Sequence, residues 1–584
     1  MNRFFAILFA LTKNPPLHQL GHPITKQQLR RIKLAISSLS IWILPATLTA
    51  SPTLSAERIY ASYGLLEQSL SINSLETYAN EGKIDQDLAA FAKYANPQEL
   101  AQLRKLLLTR IPLSPLEVSQ FLYTPLGERL LARLGQVIQT PAHQSGFYAI
   151  RAALILAAAD PQGLTLLNVL HKFPLPGIRI NLARGLEIVD AFERLVNQTN
   201  QAIAAVNQQA TLEARATRLS NFSQLPDLRL QGSFTWEKRT ITLNDRSRDR
   251  IFPVDIYLPV ARQLHSQNTP RPVIVISHGL GSDRKSFEYL AQHLASYGFV
   301  IAVPEHPGSD AKQLQALVSG RADEVTSPRE FIDRPLDVKY LLDELTRLSQ
   351  SEPEFQGRLN LQQVGVIGQS FGGYTVLALA GAKLNFQQLQ TNCSASEDSL
   401  NLALIFQCLA SRLLQRQYDL SDPRVKAAIA IDPVDSSIIG QAGLSQIKIP
   451  IMMVAGSADT VAPALPEQIR PFTWLTTLNK YLVVIKGGTH FSTIEESHKD
   501  VVPIPFNAIG PNPALARLYV KALSVAFFQT YIANQPSYRP YLSAAYANAI
   551  SREPLQLNLV RSLSTTELEQ ALKGSTVSLT APNQ

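Results

Sequence analysis

From residue 228 onward the apolar positions fall into short runs that alternate with amphipathic stretches of helical length. Two strand-like runs, 234–243 and 252–258, flank the turn sequence Asn244-Asp245-Arg246-Ser247 and predict an antiparallel entry to a sheet. After them the apolar runs 273–277, 299–303, 364–367, 425–431, 449–454 and 481–485 alternate with the helical stretches 286–297, 333–348, 371–382 and 513–532. Strands that are apolar throughout are buried on both faces, so this rhythm predicts a mostly parallel sheet covered by helices on both sides. The stretch 385–422 breaks the rhythm and is placed as an inserted lid or cap.

Residues 57–200 read differently. In Asn96-Pro97-Gln98-Glu99 a cap residue, an N1 proline and an N3 acid precede leucines at helical spacing, and Ser114-Pro115-Leu116-Glu117 repeats the device. Further apolar helices are predicted over 147–159 and 180–195. This part is expected to be an all-helical accessory domain, and it contains no catalytic constellation. Residues 201–227, polar and alanine-rich, read as a linker to a catalytic domain over 228–535, and 536–584 as a helical C-terminal tail.

At the start of the chain Lys26, Arg30, Arg31 and Lys33 precede an apolar run over 34–48, and small residues cluster around 50–56. That order is the one of a secretory signal over 1–56, and the run is short for a spanning helix of roughly 20 residues. Export to a periplasmic or other extracytoplasmic location is therefore expected, with cleavage of the segment favoured and its retention as a membrane anchor the alternative.

Composition changes this picture little. The chain has 584 residues, 45% hydrophobic and 17% charged, enough to bury large cores in more than one folded part. The formal charge of +8 is scattered among acids and forms no basic block, which argues against a nucleic-acid partner and leaves association with an anionic membrane surface as the one charge-driven contact to consider. Protein partners are not specified by any motif. Cys393 and Cys408 are the only cysteines; an exported location would permit them to pair, two free buried thiols being the alternative.

The chemistry is concentrated in three places. Gly368-Gln369-Ser370-Phe371-Gly372 follows the run 364–367 and precedes a helical stretch, the strand-turn-helix setting of a nucleophile elbow. Such a serine needs a base, and His490 in Gly487-Gly488-Thr489-His490-Phe491 lies just past the run 481–485. The third triad member is Asp459, after the run 449–454, or alternatively Asp432, at the end of 425–431; either can reach a histidine loop in this topology. Two backbone N–H groups must face the developing oxyanion, and Phe371 and Leu280, the latter in Ser277-His278-Gly279-Leu280-Gly281, are the expected donors. His278 is expected to brace its loop and His306 to be a hydrogen-bonded loop residue, while Arg329, Arg334 and Asp337 are expected to form ion pairs. No phosphate-binding glycine loop, metal-ligand cluster or nicotinamide fingerprint is present, so no cofactor and no metal are expected.

Together these three motifs, over roughly residues 233–528, resemble the platelet-activating-factor acetylhydrolase group and the related dienelactone-hydrolase-like and polyester-hydrolase enzymes. The resemblance implies the α/β-hydrolase fold. It divides over the acid: the Asp459 loop, Gly-Ser-Ala-Asp-Thr-Val-Ala-Pro, looks like that of cutinase-like polyester hydrolases, whereas Asp432 matches the position acetylhydrolases and chlorophyllases use. Gln369 stands where a histidine is common and is expected to matter little. The region from Glu57 looks like an uncharacterised domain fused to such hydrolases in photosynthetic bacteria and implies no activity of its own. The expected function is a serine ester hydrolase acting on lipid or other hydrophobic carboxylic esters through an acyl-enzyme. A catalytically silent binding protein on the same fold and an amide or peptide hydrolase with the same triad are the alternatives.

Overall fold

The computed structural model describes residues 55–64, 66–216, 222–260, 270–395, 401–495 and 506–574. The targeting segment expected over 1–56 lies, but for its last two residues, outside the described residues. The chain divides into two compact units, one of residues 1–118 and 131–189, the other of 119–130 and 190–584.

The first unit is not all-helical. It contains a four-stranded sheet of β1 (Arg58–Tyr63), β2 (Leu66–Ser71), β3 (Ile138–Gln139) and β4 (Gly177–Asn181), in the order β2-β1-β4-β3. β1 pairs antiparallel with β2 and parallel with β4, more than a hundred residues away. The helix starts fall where capping predicts. Asn96 accepts from the Glu99 amide and Glu99 returns the bond, and Ser114 and Glu117 do the same.

The expected linker is helical for most of its length: α1 (Leu182–Ala216) runs unbroken for 35 residues. Its alanines favour helix, and Ala202, Val206 and Ala210 form an i, i+4, i+8 stripe within the core of the second unit.

The second unit is built on a nine-stranded sheet. Its strands are β5 (Thr235–Asp245), β6 (Arg250–Val260), β7 (Arg271–Ser277), β8 (Val300–Pro304), β9 (Leu359–Gln369), β10 (Val425–Ile431), β11 (Ile451–Gly456), β12 (Lys480–Ile485) and β13 (Leu557–Val560). The order is β13-β12-β11-β10-β9-β7-β8-β6-β5. β8 through β12 form a continuous parallel set, β6 is antiparallel to both β5 and β8, and β13 closes the other edge antiparallel to β12. The C-terminal tail is therefore not helical alone; it contributes an edge strand. Two hydrophobic clusters cover the two faces of this sheet, as strands buried on both sides require. This is the α/β-hydrolase fold. Among the described residues no helix is long and apolar enough to cross a membrane.

Helices that bear on the site are α2 (Glu330–Ser351), α3 (Phe371–Leu379), the two helices of the insert, α4 (Phe386–Ala395) and α5 (Leu402–Gln407), and α6 (Pro513–Tyr531). In open sheets of this kind a ligand crevice forms at the carboxyl ends of the strands where the strand order reverses. The C-terminal ends of β7, β9, β10, β11 and β12 are where the structure brings the chemistry together.

Candidate active site

β9 delivers the chain into a turn so tight that Ser370 takes φ 57° and ψ −116°, a backbone state a non-glycine residue holds only when its surroundings impose it. The surroundings do so here: the Ser370 amide donates to the Ile431 carbonyl on β10 at 2.8 Å, and its carbonyl accepts from Tyr374 at 3.1 Å as α3 begins. A Cβ on Gly368 would strike the Gly372 carbonyl, and one on Gly372 the Ser277 carbonyl on β7. Both glycines are required by close approach, since neither has a positive φ. The Ser370 hydroxyl stands at the apex of this turn, the residue 9% exposed, and makes no hydrogen bond among the described residues.

His490 lies on the loop after β12, buried, with its Nδ1 donating to Asp459 Oδ2 at 2.7 Å. This bond fixes the tautomer and leaves Nε2 as the proton acceptor. Asp459 is itself held, its Oδ1 accepting from the amides of Val461 (2.8 Å) and Ala462 (2.7 Å). Burial disfavours the imidazolium, but the attraction of Asp459, its hydrogen bond and the Asp432 carboxyl outweigh it, so the His490 pKa lies above the ordinary 6.5.

Asp432 ends β10 with φ 43°. Its Oδ1 accepts from the Gly456 amide at 2.8 Å. Burial, and then the charge of Asp459, push its pKa well above the ordinary 3.8. Asp432, Asp459 and His490 offer ligand atoms within 4.8 Å of one another, and no other His, Cys, Asp and Glu group among the described residues is so arranged. The His490 nitrogen facing the acids already donates to Asp459, which is acid-base rather than metal-ligand geometry.

Sequence reasoning undervalued Gln369. Its Nε2 donates to the His490 carbonyl at 3.0 Å, tying the residue before Ser370 to the histidine loop. Its side-chain oxygen also lies 2.5 Å from where a Gly279 Cβ would stand, so Gln369 packs between the elbow and the loop after β7. The signal was its position next to Ser370.

The loop after β7 carries Leu280. Ser370 Cβ lies 3.5 Å from the Cβ position of Gly279, which sets this loop beside the serine. Neither the Leu280 nor the Phe371 amide has an acceptor among the described residues, leaving both N–H groups available. His278 bonds the loop in place: its Nδ1 donates to the Gly279 carbonyl at 2.8 Å and its Nε2 accepts from the His306 amide at 3.1 Å. His306 bonds Ser277 Oγ (3.0 Å) and Asp337 Oδ2 (3.1 Å) and is fully buried. Burial first, and then the Arg334 charge, hold both histidines well below 6.5 and neutral.

The expected ion pairs form in part. Arg329 reaches Asp333 at 3.3 Å and Asp337 pairs with Arg250 at 2.7 Å, but Arg334 pairs with no carboxylate among the described residues.

In the insert, Cys393 and Cys408 are joined by a disulfide linking α4 to the turn after α5. The insert touches the site directly. The Ala403 amide donates to Val461 on the Asp459 loop at 3.0 Å, and the Phe406 ring stacks edge-on to Phe371, centroids 4.9 Å apart.

Comparisons with known proteins follow this geometry. Residues 55–181 match a family described as "Alpha/beta hydrolase of unknown function (DUF1400)", and residues 254–334 match "Platelet-activating factor acetylhydrolase, isoform II". A platelet-activating factor acetylhydrolase of Cavia porcellus is 28% identical over 134 residues, 18% of this chain and 31% of the relative. Cutinase 2 of Thermobifida cellulosilytica is 20% identical over 284 residues, 47% of this chain and 74% of the relative, and a Thermobifida fusca cutinase is 20% identical over 61% of its length. The chain thus spans about a third of the acetylhydrolases it matches. These distant relatives are esterases, and fold and comparisons are consistent with a member of the α/β-hydrolase superfamily.

Proposed function

We propose that this α/β-hydrolase-fold chain is a serine ester hydrolase acting on lipid or other hydrophobic carboxylic esters. The observation that carries the reading is the 2.7 Å bond from His490 Nδ1 to Asp459 at the sheet edge where Ser370 stands at the apex of its strained turn.

In this reading His490 Nε2 takes the Ser370 proton as Oγ attacks the ester carbonyl; the two come into bonding geometry when substrate fills the site. The carbonyl electron pair moves onto oxygen, where the Leu280 and Phe371 amides receive it. Collapse expels the alcohol with the proton returned by His490 and leaves an acyl-Ser370 ester. Water, deprotonated by His490, repeats the sequence and releases the carboxylic acid. Asp459 keeps the proton of His490 on Nδ1 and stabilises the imidazolium; Asp432, bonded to the Gly456 amide, supports the strand ends from behind.

The hydrophobic substrate class is supported by the aromatic group of Phe331, Phe371 and Phe406 beside the nucleophile and by the relatives' names. An exported location is supported by the disulfide, which an oxidising compartment would maintain. Hydrolysis of a p-nitrophenyl ester series from acetate to octanoate by the purified chain tests the reading. Turnover rising with acyl length into the medium-chain esters is expected, and no turnover on any member would overturn it.

A further inference from the structure

α2 buries a cation where the fold does not need one. Arg334 is fully buried, yet the carboxylates whose charges reach it are engaged elsewhere: Arg250 holds Glu330 and Asp337, and Asp310 accepts from the Gln313 amide. Arg334 instead spends its donors on neutral acceptors. Nη1 donates to Ser309 Oγ at 3.2 Å, Nη2 to Ser277 Oγ at 3.4 Å and to the His278 carbonyl, and Nε has no partner. A guanidinium removed from water without a carboxylate partner is costly to keep. Burial draws its pKa down to about 9, which still leaves it charged at neutral pH.

What it touches explains why it is kept. Ser277 and His278 begin the loop that carries the Leu280 amide, and the guanidinium carbon lies 4.6 Å from the centroid of the Phe371 ring, the residue whose amide is the second free N–H. Arg334 therefore braces both halves of the donor pair. His278 and His306, which face it, are neutral and add no positive charge of their own.

We propose that Arg334 is a positioning residue for the oxyanion site, fixing the Ser277–Gly281 loop against Phe371 and placing a buried positive charge behind the two amides that receive the negative oxygen. The proposal rests on the ester-hydrolase reading above. It applies to the step in which Ser370 Oγ bonds the carbonyl carbon, the carbonyl π pair becomes the oxyanion lone pair, and the serine proton passes to His490.

The test uses the full chain, with p-nitrophenyl butyrate as substrate and an alkyl trifluoromethyl ketone as inhibitor. The ketone adds to the serine and carries the same tetrahedral oxyanion. Arg334→Gln is expected to lower kcat about 10- to 100-fold with KM changed less than about threefold, somewhat below the loss of a direct oxyanion donor. Affinity for the ketone should fall by the same factor, and Arg334→Lys, which keeps charge but not the fork, should recover part of both. A folded Arg334→Gln protein with kcat within threefold of wild type, or with kcat lost and ketone affinity retained, overturns the proposal. Should Arg334→Gln not fold, Arg334→Lys decides: kcat and ketone affinity falling in step support the proposal, and both within twofold of wild type overturn it. Absence of turnover and of ketone binding in wild type would instead refute the ester-hydrolase reading itself.

Discussion

Replacing each of the two aspartates at the strand ends by asparagine should separate them by orders of magnitude. Asp459 spends Oδ1 on the amides of Val461 and Ala462 and Oδ2 on His490 Nδ1. In Asp459→Asn the amide oxygen must stay on the two backbone N–H groups, because the flipped rotamer would set NH2 against both. The NH2 then faces His490 Nδ1 and drives the proton to Nε2, the nitrogen that has to accept from Ser370. A wrong tautomer of this kind costs roughly 10⁴ in kcat, or about 5 kcal/mol at 1.36 kcal/mol per decade. Asp432 accepts one bond, from Gly456, which the asparagine oxygen can keep, and makes none to His490 among the described residues. Asp432→Asn should therefore stay within about tenfold of wild type, since the exchange risks one hydrogen bond of ~1 kcal/mol and leaves the His490 tautomer to Asp459. Steady-state hydrolysis of p-nitrophenyl butyrate by both variants, with thermal melts to establish folding, reads the difference. Equal damage in the two, or Asp459→Asn within tenfold of wild type, would refute the reasoning.

Three further outcomes are expected. Because the His490 pKa is raised above 6.5 by Asp459 against the opposing effect of burial, kcat/KM should rise with pH through a midpoint above 6.5. By the same linkage, the stability that protonated His490 contributes is fully present below its unfolded pKa and is lost as pH rises through the folded one; a pH-rate profile with its midpoint at or below 6.5 would contradict both. Gln369→Ala, which frees the His490 carbonyl, should lower kcat about tenfold through misplacement of the base while the melting temperature moves little; unchanged kcat would return Gln369 to a bystander. Removing the disulfide that joins cysteines 15 apart, by Cys393→Ser, should cost about 3 kcal/mol in denaturant unfolding if the chain unfolds as one transition; no shift in midpoint would show that the insert is held by its other bonds.

Much of the second unit was legible in the sequence because its strands are buried on both faces. A run such as Val-Lys-Ala-Ala-Ile-Ala-Ile in β10 or Ile-Met-Met-Val-Ala-Gly in β11 has few other uses. The elbow was legible for a related reason: glycines dictated by close approach leave a fixed spacing around Ser370. β1 and β2 were missed because Arg-Ile-Tyr-Ala-Ser-Tyr and Leu-Glu-Gln-Ser-Leu-Ser are short and only partly buried, and the pairing of β1 with β4 is non-local. β13, four residues long, exists only because β12 offers an edge. The alanine-rich stretch reads as a linker because its buried stripe lies among the exposed Gln201, Asn207 and Gln208. In the site, residue types and chain order named Ser370 and His490 but left two aspartates open. Each follows one of two neighbouring strands, and the structure separates them by which one accepts from His490 Nδ1. Arg334 is expected from sequence to pair because Asp337 stands near it on one helical stretch, and the sequence holds no sign that Arg248 and Arg250 engage the acids of that helix first.

The most direct test of the central claim is labelling of the purified chain with a fluorophosphonate, followed by peptide mapping, beside ester turnover by wild type and Ser370→Ala. The account predicts stoichiometric modification of the peptide containing Ser370, abolished by substrate ester in competition, and a fall in turnover of roughly 10⁶ in the variant. An unlabelled wild type, label on another residue, or a Ser370→Ala protein that hydrolyses esters at the wild-type rate would contradict it.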